Sequence, residues 1–398
     1  MIDCARRFDA AVLDTFCKKL QLPALSDVAR KHNLCLPIYL GGFGLRSMQK
    51  VSPVAWWCAL AQYFHLVSPL VPSLALLDSS STVRFVQNQY SCHRTLLGYD
   101  VKLPRPFPLL AEHFFSDFKA KNVVAGFQRS ILSAINIHDA TRLILDSKSK
   151  SPDKARLTSL SERSSSYWLS TPPVSPSFLL SSQDFNAACR LRLGLPPVDG
   201  LKFCGCGANL ADLPLHFLTC TTLRSSVISR HDRLFQCLAK LARLTGLAVP
   251  GEPHLSSSEE ATRADGLFFF TYMVPGYIDV GVVHPAAPSY LRSGHKLLAA
   301  AGEYEKEKTR LYGMAAVEMG AKFYPCILDS FGAFGPGLVK FIGTLLDEFL
   351  GSGIKSIENL PTKLFIYRAL SFCLQAGNSN ILLTGSRLAR AKSLNWGQ

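Results

Sequence analysis

The stretch Arg263-Ala-Asp-Gly-Leu-Phe-Phe-Phe-Thr-Tyr-Met-Val-Pro-Gly-Tyr-Ile-Asp-Val-Gly-Val-Val283 decides how the chain is read. Residues 267–272 and 277–283 are aromatic and β-branched, and Pro275-Gly276 stands between them, so the pattern predicts two strands joined by a turn. Asp265 sits just before the first strand and Asp279 lies within the second. An acid flanked by Ile278 and Val280 is costly to bury unless it is paired or metal-bound. A hairpin can bring both carboxylates to one edge of a small sheet. Two converging acids suit a divalent-metal phosphodiesterase, where Mg2+ polarises the phosphate and lowers the pKa of an attacking water. The plain alternative is a strand-edge aspartate that points to solvent.

Downstream, a helix is expected over residues 293–320 and a third strand over 322–328. A lysine would complete a phosphodiesterase centre by orienting water or stabilising charge on the phosphate. The helix offers Glu303, Glu305, Lys306, Glu307 and Lys308, and Lys308 shares a face with Tyr312 four residues on. Most of these charges read as a solvated helix face.

Upstream, Cys204-Gly-Cys206 is followed by His216 and Cys220. Three thiolates and an imidazole suit tetrahedral Zn2+ in a structural role, and Gly205 and Gly207 permit the tight loop this requires. The bland reading is four independent core residues. A helix over 184–193, stopped by Gly194 and Pro196-Pro197, precedes this segment. A second helix, about 223–244, follows it, with an apolar stripe of Val227, Phe235, Leu238 and Leu241. Arg230 and Arg233 on this helix are candidate phosphate contacts. His231 and Tyr312 are further candidate nucleic-acid contacts, although His231 shares a face with Val227 and Phe235, which makes a packed core histidine a serious alternative.

The expected class is α+β: a helical N-terminal half, a zinc knuckle, then a small α/β domain. Residues 1–146 read as helical, with Phe8, Ala11, Val12 and Phe16 on one face of a helix over 4–20. Residues 147–183, rich in Ser, Pro and Lys, read as a linker. Residues 184–250 hold the knuckle and its flanking helices, and residues 251–398 the strands and C-terminal helices.

The 398-residue chain carries a net charge of +14, is 48% apolar and only 18% charged, which excludes a disordered tail or a coiled coil. The basic excess points to a polyanion, nucleic acid or an anionic membrane. It is unevenly spread: 18 basic against 10 acidic side chains in residues 1–150, and 14 against 13 in residues 251–398. Twelve dispersed cysteines and no apolar leader predict a reduced, intracellular protein. Residues 51–77 lack charge, but Pro53, Pro69 and Pro72 argue against a membrane span.

Taken in order, these pieces resemble the C-terminal part of the reverse-transcriptase protein of non-LTR retrotransposons that carry a restriction-like endonuclease. Leu36-Pro-Ile-Tyr-Leu-Gly-Gly-Phe-Gly-Leu resembles the entry to the polymerase thumb. Phe185-Asn-Ala-Ala-Cys-Arg-Leu-Arg-Leu-Gly-Leu-Pro resembles the helix before the zinc knuckle. Cys204, Cys206, His216 and Cys220 with Arg230-His231 resemble the knuckle and the Arg-His after it. Glu252-Pro-His, Arg263-Ala-Asp265-Gly, Ile278-Asp279-Val and Lys308-x3-Tyr312 resemble the nuclease.

The resemblance implies a PD-(D/E)XK-type nuclease domain, with Asp265 and Asp279 binding Mg2+ and Lys308 as the catalytic lysine. Glu252 would add a further acid, and Lys306 is the rival lysine. It implies a nuclear location, target DNA and element RNA as partners, and nicking that primes reverse transcription. Ala264 stands where the family has proline, and Gly281 where the general nuclease motif has lysine. No palm-type Asp-Asp pair is present, so the polymerase part would have to come from elsewhere in the element.

Overall fold

The computed structural model describes residues 2–22, 33–52, 54–55, 59, 121–147, 151–243, 247, 249, 251, 253–255, 263–270, 273–351 and 362–395. The chain forms two compact units, one of Met1–Lys19 with Ala24–Leu143, the other of Leu20–Pro23 with Ile144–Gln398. Most of residues 51–77 lies outside the described residues. Among the described residues, no helix is long and apolar enough to cross a membrane.

In the first unit, α1 (Ile2–Lys19) differs from the expected stripe: Phe8 is exposed, while Ala5 and Asp9 are buried. Asp9 is held by Ser47 Oγ and Met48 N, each at 2.7 Å, so a carboxylate caps the following helical turn. Phe16 packs edge-on to Phe43 at 5.3 Å. Next to Phe43, Gly42 passes so close to Leu36 that a Cβ would lie 2.0 Å from its carbonyl oxygen. The helix α2 (Lys121–Asp146) follows.

The second unit is mixed α+β, mostly helical, with a three-stranded sheet ordered β1 (Gly266–Phe268), β2 (Gly276–Val283), β3 (Lys322–Asp329) among the described residues. Before the sheet come α3 (Pro152–Leu160), α4 (Ser182–Leu193) and α5 (Arg224–Arg243). The β1–β2 pair is antiparallel, with Gly266 opposite Ile278. The β2–β3 pair is parallel, with Asp279 opposite Pro325. A parallel pair needs a long crossover, and α6 (Ala299–Glu318) supplies it. The helices α7 (Pro336–Gly351) and α8 (Lys363–Asn395) follow.

Strand periodicity sorts the two faces of the sheet. Ile278, Val280, Tyr324, Cys326 and Leu328 bury themselves with Leu234 and Leu238 of α5, Phe341 and Leu345 of α7, and Leu370 and Leu374 of α8. On the opposite face, Val283 and Ile327 pack with Ala300, Ala301 and Tyr304 of α6. Asp279 and Gly281 alternate with Ile278 and Val280, so they fall on the α6 side. That parity brings a strand acid to a helix that carries lysines.

Two expectations about domain organisation change. Residues 147–183 are not a linker: Ala155, Leu160, Ser164, Ser165, Ser166 and Trp168 are buried, and α3 belongs to the core of the unit. The serines act as internal hydrogen-bond partners. Ser159 Oγ donates to Asp329 at 2.5 Å, and Ser164 Oγ accepts from Phe334 N at 3.0 Å. Such residues favour turns and caps as much as flexible coil. Nor are residues 184–250 set apart from 251–398. The first half of α8 lies in the sheet core, and Ile381, Leu382 and Ala389 of its second half pack with Phe217, Leu218 and Leu223 of the cysteine-rich segment.

Candidate metal centre and carboxylate site

Cys204, Cys206, His216 and Cys220 converge, their ligand atoms all within 4.8 Å of one another. A short antiparallel bridge between Phe203 and Asn209 turns the chain so that both leading cysteines reach the cluster, Cys204 from a buried position and Cys206 from an exposed one. The short 3-10 helix His216–Thr219 then sets His216 one turn from Cys220. Cys204 Sγ lies 3.6 Å from Cys220 Sγ, and Cys206 Sγ 3.1 Å from His216 Nε2. Tetrahedral Zn–S bonds near 2.3 Å would put sulfurs about 3.8 Å apart. The four residues can hold a metal ion such as zinc. Burial opposes ionisation of both Cys204 and Cys220, and at Cys220 the Thr222 hydroxyl and amide together with the Cys204 and Cys206 thiols more than offset it. An N/S donor set of this kind suits Zn2+ better than a hard cation.

The acids sit on the sheet. Asp279 is 5% exposed in the central strand, and its Oδ2 lies 2.9 Å from Lys308 Nζ. The ammonium is close but off the hydrogen-bonding direction, so Oδ2 has an ion pair without a well-angled hydrogen bond among the described residues. Burial raises the Asp279 carboxyl above its usual range, Lys308 lowers it in part, and the nearby Asp265 raises it again. Burial would lower the Lys308 pKa, but the Asp279 carboxylate outweighs it and holds the ammonium above its ordinary value. Tyr304 and Tyr312 flank that ammonium, their ring centres 5.4 and 5.3 Å away.

Asp265 is anchored across the hairpin. Its Oδ2 accepts from Val280 N at 2.6 Å and contacts His231 Nε2 at 3.0 Å. The Asp265 hydrogen bond pushes the His231 pKa up to about 9, against the burial of the ring. His231 therefore reaches from α5 to the acid site. It is neither a packed core histidine nor a free phosphate contact.

Arg230 departs from the expected phosphate contact. It is 4% exposed, its stem presses on Gly377, and Nη1 donates to Asn378 Oδ1 at 2.9 Å, so it faces α8 and is closed to a phosphate. Arg233 is exposed on the same helix. Tyr312 is half-buried beside Phe323, with its ring 5.5 Å away. Glu252 lies outside the described residues. Lys306 is exposed, whereas Lys308 meets Asp279. Tyr304 was not singled out from sequence, although Tyr304, Lys308 and Tyr312 fall at successive four-residue steps that a helix stacks on one face. Gly281 also has a reason: a Cβ there would lie 2.6 Å from the Tyr304 ring and 2.7 Å from Ile327 Cδ1. A side chain on the strand at that point would have to displace Tyr304 and Ile327, and the cation beside Asp279 is Lys308 of α6. No protein-family model and no curated protein matches this chain, so its chemistry has to be read from its own side chains.

Proposed function

We propose that the chain is a Mg2+-dependent DNA endonuclease of the PD-(D/E)XK type. In this reading it is the C-terminal part of a non-LTR retrotransposon reverse-transcriptase protein, nicking target DNA to prime synthesis from element RNA. One observation carries the reading: a buried strand aspartate, Asp279, faces a helix lysine, Lys308, with a second aspartate, Asp265, fixed across the same hairpin. Two carboxylates are a hard oxygen donor set that fits Mg2+. When bound, Mg2+ would polarise the scissile phosphate and acidify a water.

The chain's own residues have separable tasks. The Val280 amide and His231 fix Oδ2 of Asp265, leaving its Oδ1 without a hydrogen bond among the described residues. Lys308 would donate to a phosphate oxygen as negative charge builds there. Tyr304 and Tyr312 hold its ammonium in place. Glu252 would add a further acid, and the exposed Arg233 a phosphate contact.

The test is nicking of a supercoiled plasmid in Mg2+. Asp279→Ala should abolish it, and Lys308→Ala should slow it at least about 100-fold. Equal nicking by Asp279→Ala would overturn the assignment. A second reading, a nucleic-acid-binding remnant without activity, is favoured by the cationic partner each acid already has. It predicts salt-sensitive binding by the parent chain with no cleavage under any divalent ion.

A further inference from the structure

Beside the cysteine cluster, and separate from the two aspartates, lies a cavity of about 220 Å3. Its walls include Leu201, Lys202, Phe203 and Gly205 from the cysteine loop, and Ala389 and Lys392 from the end of α8. The loop and the helix are tied together, because Lys392 Nζ donates to the Gly205 carbonyl at 2.6 Å. A Cβ at Gly205 would be 3.9 Å from both Leu388 and Lys392, so the two walls are in close approach. Phe203 is 54% exposed although it directly precedes the ligand Cys204.

The chemistry of the groove is specific. Its walls carry two lysines and no acid. Arg387 and Arg390 are exposed on the same last turns of α8. An apolar floor, an exposed aromatic ring and a cationic rim suit a polyanion that also offers flat apolar faces. The volume is below the roughly 300 Å3 at which drug-sized ligands begin, and matches a single planar ring better. In a duplex the base faces are hidden in the stack, whereas an unpaired base is free to lie on an aromatic side chain.

We infer that this groove binds single-stranded nucleic acid, with one base stacked on Phe203 and its flanking phosphates against Lys202 and Lys392. The site needs the cysteine loop to be formed but not the aspartate pair, so it stands or falls apart from the nuclease reading. Strand capture here would hold an unpaired segment away from the sheet.

The test uses the full zinc-loaded chain without Mg2+ and fluorescence anisotropy of a labelled oligo-dT of about 20 nucleotides, enough to fill a single-strand site. A duplex of the same length is the comparison. Phe203→Ala should weaken oligo-dT binding about tenfold, the loss of one stacked base, and leave duplex binding unchanged. Phe203→Trp should keep parent affinity and show tryptophan quenching by oligo-dT beyond that of the parent. Lys202→Ala should flatten the salt dependence of oligo-dT binding by about 0.7 in log–log slope. Unchanged oligo-dT affinity in Phe203→Ala, or an equal loss on duplex, overturns the proposal. So does loss of binding to phosphatidylserine vesicles with no change on oligo-dT. If Phe203→Ala sheds zinc, Phe203→Trp decides: retained zinc without extra quenching overturns it.

Discussion

At the scale of single residues, the sheet has little tolerance around Asp279. Gly281→Ala would drive a methyl into Tyr304 and Ile327. Overpacking of this kind costs about 1–3 kcal/mol, so its urea midpoint should fall measurably, and nicking should fall with it as Tyr304 shifts beside Lys308. Lys308→Met should also destabilise, by on the order of 3 kcal/mol, because it leaves Asp279 buried and unpaired. Removing both charges in Lys308→Met with Asp279→Leu should recover much of that loss in the same measurement. A separate residue sets an acid limit. His284 is buried against Phe331, with its Nδ1 2.6 Å from Ser330 Oγ. Desolvation, with Arg230 adding to it, holds its pKa down to about 3. The unfolded imidazole titrates near about 6.5, so between these values the unfolded chain binds the extra proton. The contribution is fully present above the unfolded value and is lost as pH falls through the window. Urea midpoints should therefore drop from about pH 7.5 to about pH 5 more steeply in the parent than in His284→Asn.

At the scale of elements, strand patterns and helix stops were readable because they are local. Residues 267–283 announced a hairpin, and β1 and β2 pair as one, though Gly276 lies inside β2 opposite Phe268 and β1 is shorter than its aromatic run. Gly194 ends α4 in the left-handed conformation that its position after the helix foretold. Residues 147–183 were misread because composition cannot tell a solvated serine from one that caps a buried turn. Ser159, Ser164 and Ser165 each satisfy a backbone or carboxylate group inside the second unit. Limited trypsin digestion should therefore spare Lys154, Arg156 and Arg163, whereas a true linker would be cut there first. Early cleavage at these positions would show that α3 is not part of the core.

At the scale of the molecule, α8 is the element that makes the cysteine cluster and the sheet one unit. Leu370 and Leu374 sit in the sheet core, while Gly385 lets Phe217 approach to where a Cβ would lie 2.5 Å from its ring. In the chain loaded with zinc, release of the metal and loss of the sheet should then occur in a single urea transition. Leu374→Ala, at a cost of about 2–5 kcal/mol, should shift both signals together although it touches no cysteine. Two separate transitions would mean that the cluster folds independently of the sheet. By itself, the sequence determined the class of the chain, the strands, the candidate metal ligands and the two aspartates, because composition, periodicity and donor chemistry are properties of short segments. Only the tertiary structure decided that Arg230 turns inward to Asn378, that His231 reaches Asp265, and that Lys308 rather than Lys306 meets Asp279. Those outcomes depend on which face of a helix is covered by a partner hundreds of atoms away, and burial makes each of them costly to reverse.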